Sequence, residues 1–338
     1  MTKDLEHFKR YGWKCNEVNL QTLPPDAPQE AKDLAKWLTL EGRRTSLEEW
    51  LRCTSTDGRI HGKFWHIGAW TQRMSHSNPN QANIPSIPHG EPKTPVEEIK
   101  HKYDGEMRST WTVPEGSWLV GCDAEGIQLR VLAHYMKSPT YVDAITKGKK
   151  ELETDIHNVN RRALRLNHID RDTAKTFIYA FLLGAGVLKV ASILKCTTAT
   201  AKVSIDNFLN SLPELKRVKQ VDIPRDAMRG YFIGLDGRKV KCDSKHLMLS
   251  GYLQSGEAII MKRATVLWIK WAREESLPFK LVDLVHDEWQ TEVNGTKEQA
   301  ERIGELQCLA LEQVGKDLGL FCPLKGEYRV GKNWKDTH

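Results

Sequence analysis

The sequence has no long apolar run. Its mean hydropathy is −0.52, and no stretch reaches the about twenty apolar residues that a bilayer-spanning helix requires. The first residues, MTKDLEHFKRYGWK, lack the apolar core of a signal peptide. The seven cysteines are an odd number, widely spaced, with no C-x-x-C pair. That disfavours a structural zinc site or a disulfide framework and points to reduced thiols in the cytoplasm, a host's if the source is viral. Repeats and low-complexity tracts are also missing. Neither sign of charge dominates: 50 Lys and Arg against 44 Asp and Glu leave a net +6. Such an excess fits a nucleic-acid partner without requiring one.

The 338 residues include eleven Trp, an amount typical of packed rather than disordered chains. Their length allows one large domain or two to three small ones. Residues 1–28, with Pro24, Pro25 and Pro28, read as irregular. Apolar spacings of three and four predict helix over 29–53, broken at Gly42. Residues 57–70 alternate like a strand pair, and 75–95 read as a long loop rich in Asn, Pro and Ser. Over 118–136 an apolar strand, an acidic turn and an amphipathic helix follow one another. Helices are predicted over 151–164, 171–183, 199–221 (ending near Pro224), 245–275 and 296–318. Two hairpins are predicted, at 231–242 around Asp236-Gly237 and at 279–293 around His286-Asp287-Glu288. Helices mixed with antiparallel hairpins make the class α+β.

Two carboxylates stand out by their surroundings. Asp123 follows Trp118, Leu119 and Val120, and Asp287 follows Leu284, Val285 and His286. An acid at the end of a buried strand is costly unless a cation compensates it. Mg²⁺ suits two convergent carboxylates because it tolerates sparse oxygen ligation and takes up substrate phosphates. Each Asp taken alone is more readily an ordinary turn residue. Arg171, Lys175 and Tyr179 are four residues apart, so each steps about 40° around a helix and all share one face. Two cations and an aromatic ring on one face suit a triphosphate and a base or sugar. A solvated basic stripe beside a core Tyr is the plainer reading of the same three residues.

Seven segments in order resemble the polymerase region of A-family DNA polymerases, most closely the phage replicative branch. DAEGIQLRVLAHYM (123–136) and LVHDEWQTEV (284–293) resemble the two palm motifs, and RDTAKTFIYAFLLGAG (171–186) resembles the fingers helix. TQRMSHSNPNQANIP (71–85), GLDGRKV (234–240), LQSGEAI (253–259) and the terminal GKNWKDTH have counterparts as well. The resemblance implies a right-hand polymerase fold with an antiparallel palm sheet, helical fingers and a truncated helical thumb. The expected division is partial thumb 1–56, palm 57–150, fingers 151–232 and palm again 233–338.

It also implies roles. Asp123, Asp287 and the carbonyl of Ala124 are expected to ligate two Mg²⁺ ions, with Mn²⁺ as a substitute. His157, Arg171 and Lys175 are expected to clamp the β- and γ-phosphates of a dNTP, with Lys175 protonating the leaving pyrophosphate. Tyr179 is placed against the sugar and base. Arg73 and Gln254 are expected to donate to minor-groove acceptors of the primer-template, which are alike on all correct pairs. His286 is expected at the primer terminus, and Glu288 beside the metal site.

The chain departs from the family pattern at specific positions. Gln128 stands where the family usually has a Glu against the nucleotide sugar, and Leu183 where it usually has a second Tyr that bonds that Glu. A re-formed local packing with altered nucleotide selection is expected. Ser250 replaces a usual minor-groove Asn, and Gln72 a frequent Gly. Only about 70 residues precede Arg73, without exonuclease motifs. The expectation is therefore the polymerase half of a split or truncated enzyme, with a second polypeptide supplying 3′–5′ exonuclease and thumb. The competing function is a DNA-binding scaffold that kept the fold and lost the chemistry. A single-subunit RNA polymerase is disfavoured by the form of the fingers motif.

Overall fold

The computed structural model describes residues 17–20, 23, 26–88, 90–92, 94–242 and 244–338. After a single helical turn at Glu17–Leu20, the first half comprises α1 (Gln29–Cys53), β1 (Lys63–Trp65), β2 (Ser75–Ser77), α2 (Pro95–Ser109), β3 (Trp118–Ala124), α3 (Ile127–Met136), α4 (Pro139–Thr146), α5 (Ile156–Leu164) and α6 (Arg171–Leu182). The second half comprises α7 (Val187–Ile193), α8 (Thr198–Ser211), α9 (Pro213–Arg217), α10 (Ile223–Arg229), β4 (Tyr231–Ile233), β5 (Lys239–Lys241), α11 (Met248–Glu274), β6 (Lys280–Val285), β7 (Glu288–Val293), α12 (Lys297–Asp317) and β8 (Gly326–Gly331).

A four-stranded antiparallel sheet in the order β6-β7-β3-β8 forms the centre. β3 reads as an apolar run because it is an inner strand with buried Leu119, Val120 and Cys122. The helices α11 and α12 cover one sheet face, where Trp268 and Trp289 meet edge to face at 6.3 Å and the Trp289 indole donates to Thr265 Oγ1 at 2.8 Å. The C-terminal segment crosses the other face at Gly121. A Cβ there would lie 2.4 Å from the Thr337 carbonyl, so only glycine lets the two backbones approach. The helices α4 to α10 stack around Phe177, Phe181 and Phe208, and this core runs on into that of the sheet.

Several local readings need correction. Helix α1 runs through Gly42 unbroken, because its partner α2 holds it through Arg43 on the buried Asp104 (2.7 and 3.0 Å). The strand pair expected within 57–70 forms instead between 63–65 and 75–77, inside the segment read as loop. The helix expected over 151–164 starts at Ile156 instead, capped by Asp155. The helix expected over 199–221 ends at Ser211. Pro213 opens a new one, and a π-helical stretch (Val218–Asp222) lets Pro224 sit in the first turn of α10 without ending the helical path. The helices α2, α4 and α7 and the strand β8 were not anticipated, although the Thr94–Glu97 capping box with Pro95 was a readable start for α2. The reading of 1–28 falls largely outside the described residues. Among the described residues, six cysteines are free thiols, and Cys122 and Cys308 approach to 3.8 Å between sulfurs.

Candidate active site

The two acids converge through the sheet. Asp123 is near the end of β3, paired in register with Glu288 on one side and Glu327 on the other. Asp287 lies in the two-residue turn between β6 and β7, and its carbonyl accepts from the Ala124 N–H at 2.9 Å. The turn is tight because His286 adopts the left-handed region at φ 56°, a conformation uncommon outside glycine that His tolerates better than most residues. Burial and the charges of Glu288, Glu327 and Glu257 push Asp123 up to about 6, His338 opposing them. Burial, Glu257 and Asp123 push Asp287 well above the ordinary carboxylate range. Acids that resist ionising together are a site for a cation. Among the described residues no three His, Cys, Asp or Glu side chains converge as a complete metal cage. Two carboxylates and a nearby carbonyl are the sparse hard-oxygen set that Mg²⁺ accepts while keeping its waters.

A second cluster is built by α5 and α6. Arg171 and Tyr179 are partly exposed and Lys175 is exposed. The His157 and Tyr179 rings face one another at 6.3 Å. Burial, and then repulsion by Arg171 and Lys175, lowers His157 to about 4, so its imidazole is neutral at pH 7. Its Nδ1 is buried without a partner. Arg171 is held at 2.8–2.9 Å by Asp155, the residue that caps α5. Sequence reasoning missed Asp155, although a cap two residues before His157 was a readable signal. Tyr179 is raised by burial and by the charges of Asp287 and Asp123, which links this helix electrostatically to the acidic pair. Leu183 is 45% exposed at the C-cap of α6.

A third group gathers around Glu257, whose charge reaches both acids. Arg73 donates to Glu257 Oε2 at 2.6 Å, and Gln128 Nε2 donates to the same oxygen at 3.0 Å. Gln128 therefore finds its bonded partner on α11, a different element from the one expected to re-form its packing. Gln254 precedes Glu257 by three residues on α11, on the same helical face, and Ser250 is one turn earlier. His286 lines a small pocket with Arg73, Met74 and Leu284. Burial, with Arg73 and His76 nearby, lowers it to about 4. Glu288 was expected beside the metals or the DNA, yet its carboxylate is buried and already engaged. It accepts from Trp334 Nε1 (2.7 Å) and from Gln290, pairs with His338 (3.2 Å) and has Arg108 at 3.5 Å. Burial works against its ionisation, but His338, Arg108 and Trp334 hold it below the usual range.

The sequence profile of DNA polymerase family A matches residues 2–336. The chain belongs to that family. Family A relatives include the DNA-directed DNA polymerases of Enterobacteria phage T3 and Escherichia phage T7, each 33% identical over 340 residues covering 92% of this chain. DNA polymerase I of Aquifex aeolicus is 26% identical over 294 residues, 82% of this chain. The chain spans about half the length of these relatives, 46% of each. A solved structure described as the POL domain of Pol1 from M. smegmatis in complex with DNA primer-template and dNTP superposes with a TM-score of 0.81 at 20% identity. The match covers 99% of this chain and 58% of that one. The α+β right-hand fold of the family A polymerase domain is therefore the fold of this chain. No described helix is long and apolar enough to cross a membrane.

Proposed function

We propose that the chain is a DNA-templated DNA polymerase that transfers a nucleotide from a dNTP to a primer 3′-hydroxyl. The observation that carries this reading is the meeting of Asp123 and Asp287 near Tyr179 of α6, the helix that also carries Arg171 and Lys175. The relatives named as DNA-directed DNA polymerases support it.

Asp123, Asp287 and the Ala124 carbonyl would hold two divalent cations, Mg²⁺ or Mn²⁺, which would supply activation of the 3′-hydroxyl and neutralisation of the triphosphate. Lys175, Arg171 and the neutral His157 bind the β- and γ-phosphates. The 3′-oxygen attacks the α-phosphorus, the α–β bond breaks, and Lys175 gives a proton to the departing pyrophosphate. Tyr179 packs on the sugar and base. Arg73 and Gln254 donate to minor-groove acceptors, and His286 meets the primer terminus. Glu288 acts at one remove, by fixing the terminal segment beneath Asp123. Residues 57–150 and 233–338 serve as palm, 151–232 as fingers and 1–56 as part of a thumb. The site of action is the cytoplasm, a host cell's if the chain is viral. A second polypeptide supplying exonuclease and thumb, expected from the length, has no support in the fold or among the relatives.

Primer extension by the purified chain, with dNTPs and with or without Mg²⁺, tests this. Metal-dependent, template-directed growth is expected. A chain that binds primer-template yet never extends it would be the scaffold of the competing reading. Leu183 gives a finer test. Leu183→Tyr should change misinsertion and ribonucleotide incorporation in single-turnover assays while correct insertion persists. Unchanged rates would remove Leu183 from nucleotide selection.

A further inference from the structure

Glu257 is fully buried in the middle of α11. A carboxylate is placed there only against a cost, unless its partners compensate. Two do, and both use one oxygen: Arg73 Nη2 at 2.6 Å and Gln128 Nε2 at 3.0 Å meet Glu257 Oε2. Three polar atoms of the same cluster are buried without partners: Glu257 Oε1, Gln128 Oε1 and Arg73 Nε. The chemistry fixes the amide. A carboxylate only accepts, so Gln128 must turn its NH₂ toward Glu257. Its carbonyl oxygen is then left pointing elsewhere, an unbonded acceptor at the start of α3. The charge of Glu257 also reaches Asp123 and Asp287, raising both.

We propose that Glu257 is a positioning residue for nucleotide selection: it locks Gln128 in one amide orientation, so that a wall of fixed shape meets the sugar of the incoming nucleotide. This rests on the polymerase reading, in which Gln128 faces that sugar. Without the lock the amide turns over and the side chain changes rotamer, and the wall that excludes a 2′-hydroxyl loses its shape. The same carboxylate steadies Arg73, so one buried charge ties the nucleotide side of the site to its primer side.

The test compares Glu257→Met, which keeps size and removes the acceptor, with Glu257→Gln, which keeps one carbonyl acceptor. Preference for dNTP over NTP is measured as incorporation. It is also measured as equilibrium binding to a dideoxy-terminated primer-template complex with Mg²⁺, where no turnover occurs. Glu257→Met should lower the preference about tenfold, the scale of one lost bond to a charged group. Glu257→Gln should retain most of it. An unchanged preference in Glu257→Met overturns the proposal. If the Met variant does not fold, the ¹⁵N signal of the Gln128 side-chain amide in the wild type decides. Slow exchange with solvent supports the lock, and a freely exchanging amide overturns it. Lack of extension by the wild type would sink the polymerase reading alone, because the binding ratio and the amide signal read Glu257 independently.

Discussion

Asp123→Asn should abolish primer extension and at the same time make the metal-free protein more stable. Both effects follow from one carboxylate. Asp123 is pushed up to about 6 in the fold, from an ordinary 3.8. A raised acid pKa means that the folded chain holds the proton more tightly than the unfolded chain. The associated stability is present at low pH and is lost as pH rises from about 4 to about 6. Above that range the ionised acid is a standing cost. Solvent reaches the Asp123 side chain, so screening reduces that cost to about 1 kcal/mol. Replacing the acid with the amide removes it. The melting temperature at pH 7 without divalent metal should rise by roughly 2 °C, and the decline in stability between pH 4 and 6 should flatten. Added Mg²⁺ should stabilise the wild type and not the variant, since only a protein that binds the ion gains from it. Extension should fall by at least about a thousandfold, the scale of several kcal/mol of lost charge stabilisation. Primer-template binding should persist. Extension within tenfold of wild type would remove Asp123 from the reaction. Loss of DNA binding along with extension would point to a structural role instead.

Lys175→Ala should reduce the rate of correct insertion by about 10² to 10³, with a rise in KM for the dNTP. Arg171 on the same face is already held by Asp155. Lys175 is exposed. It is therefore the cation most available to a triphosphate. Its removal also takes away one of the charges that lower His157. The variant should then show His157 titrating at higher pH, a shift that NMR of the imidazole can follow. A small uniform loss with no change in His157 would mean that Lys175 lies away from the phosphates.

Much of the fold was legible in the residues because the signals are local. The apolar run before Asp123, the Asp236-Gly237 turn and the three- and four-residue spacing over 171–182 each report a strand, a hairpin and a helix within a few residues of chain. The four-residue rhythm of Arg171, Lys175 and Tyr179 placed them together, and the structure puts His157 beside Tyr179. Failures were local signals overruled by packing. Gly42 looked like a break, yet contacts with α2 carry α1 through it. Pro224 looked like a stop, yet a π-helical stretch accommodates it.

The sequence by itself determined which chemistry-bearing residues exist and in what order they run, since ordered motifs and short periodicities survive in one dimension. Only the tertiary structure decided their partners. β8 has no strong pattern of its own and becomes a strand because β3 offers it an open edge. Glu288 reads as a site residue from its neighbours in the chain, but the terminal segment and Arg108 occupy its carboxylate. Glu257 reads as an ordinary charged residue on a helix and proves to be buried against Arg73 and Gln128, 184 and 129 residues away. Periodicity cannot report such contacts. Burial of the helix α11 against the rest of the chain removes water from that carboxylate, and a charge without water must find its partners wherever the fold has brought them.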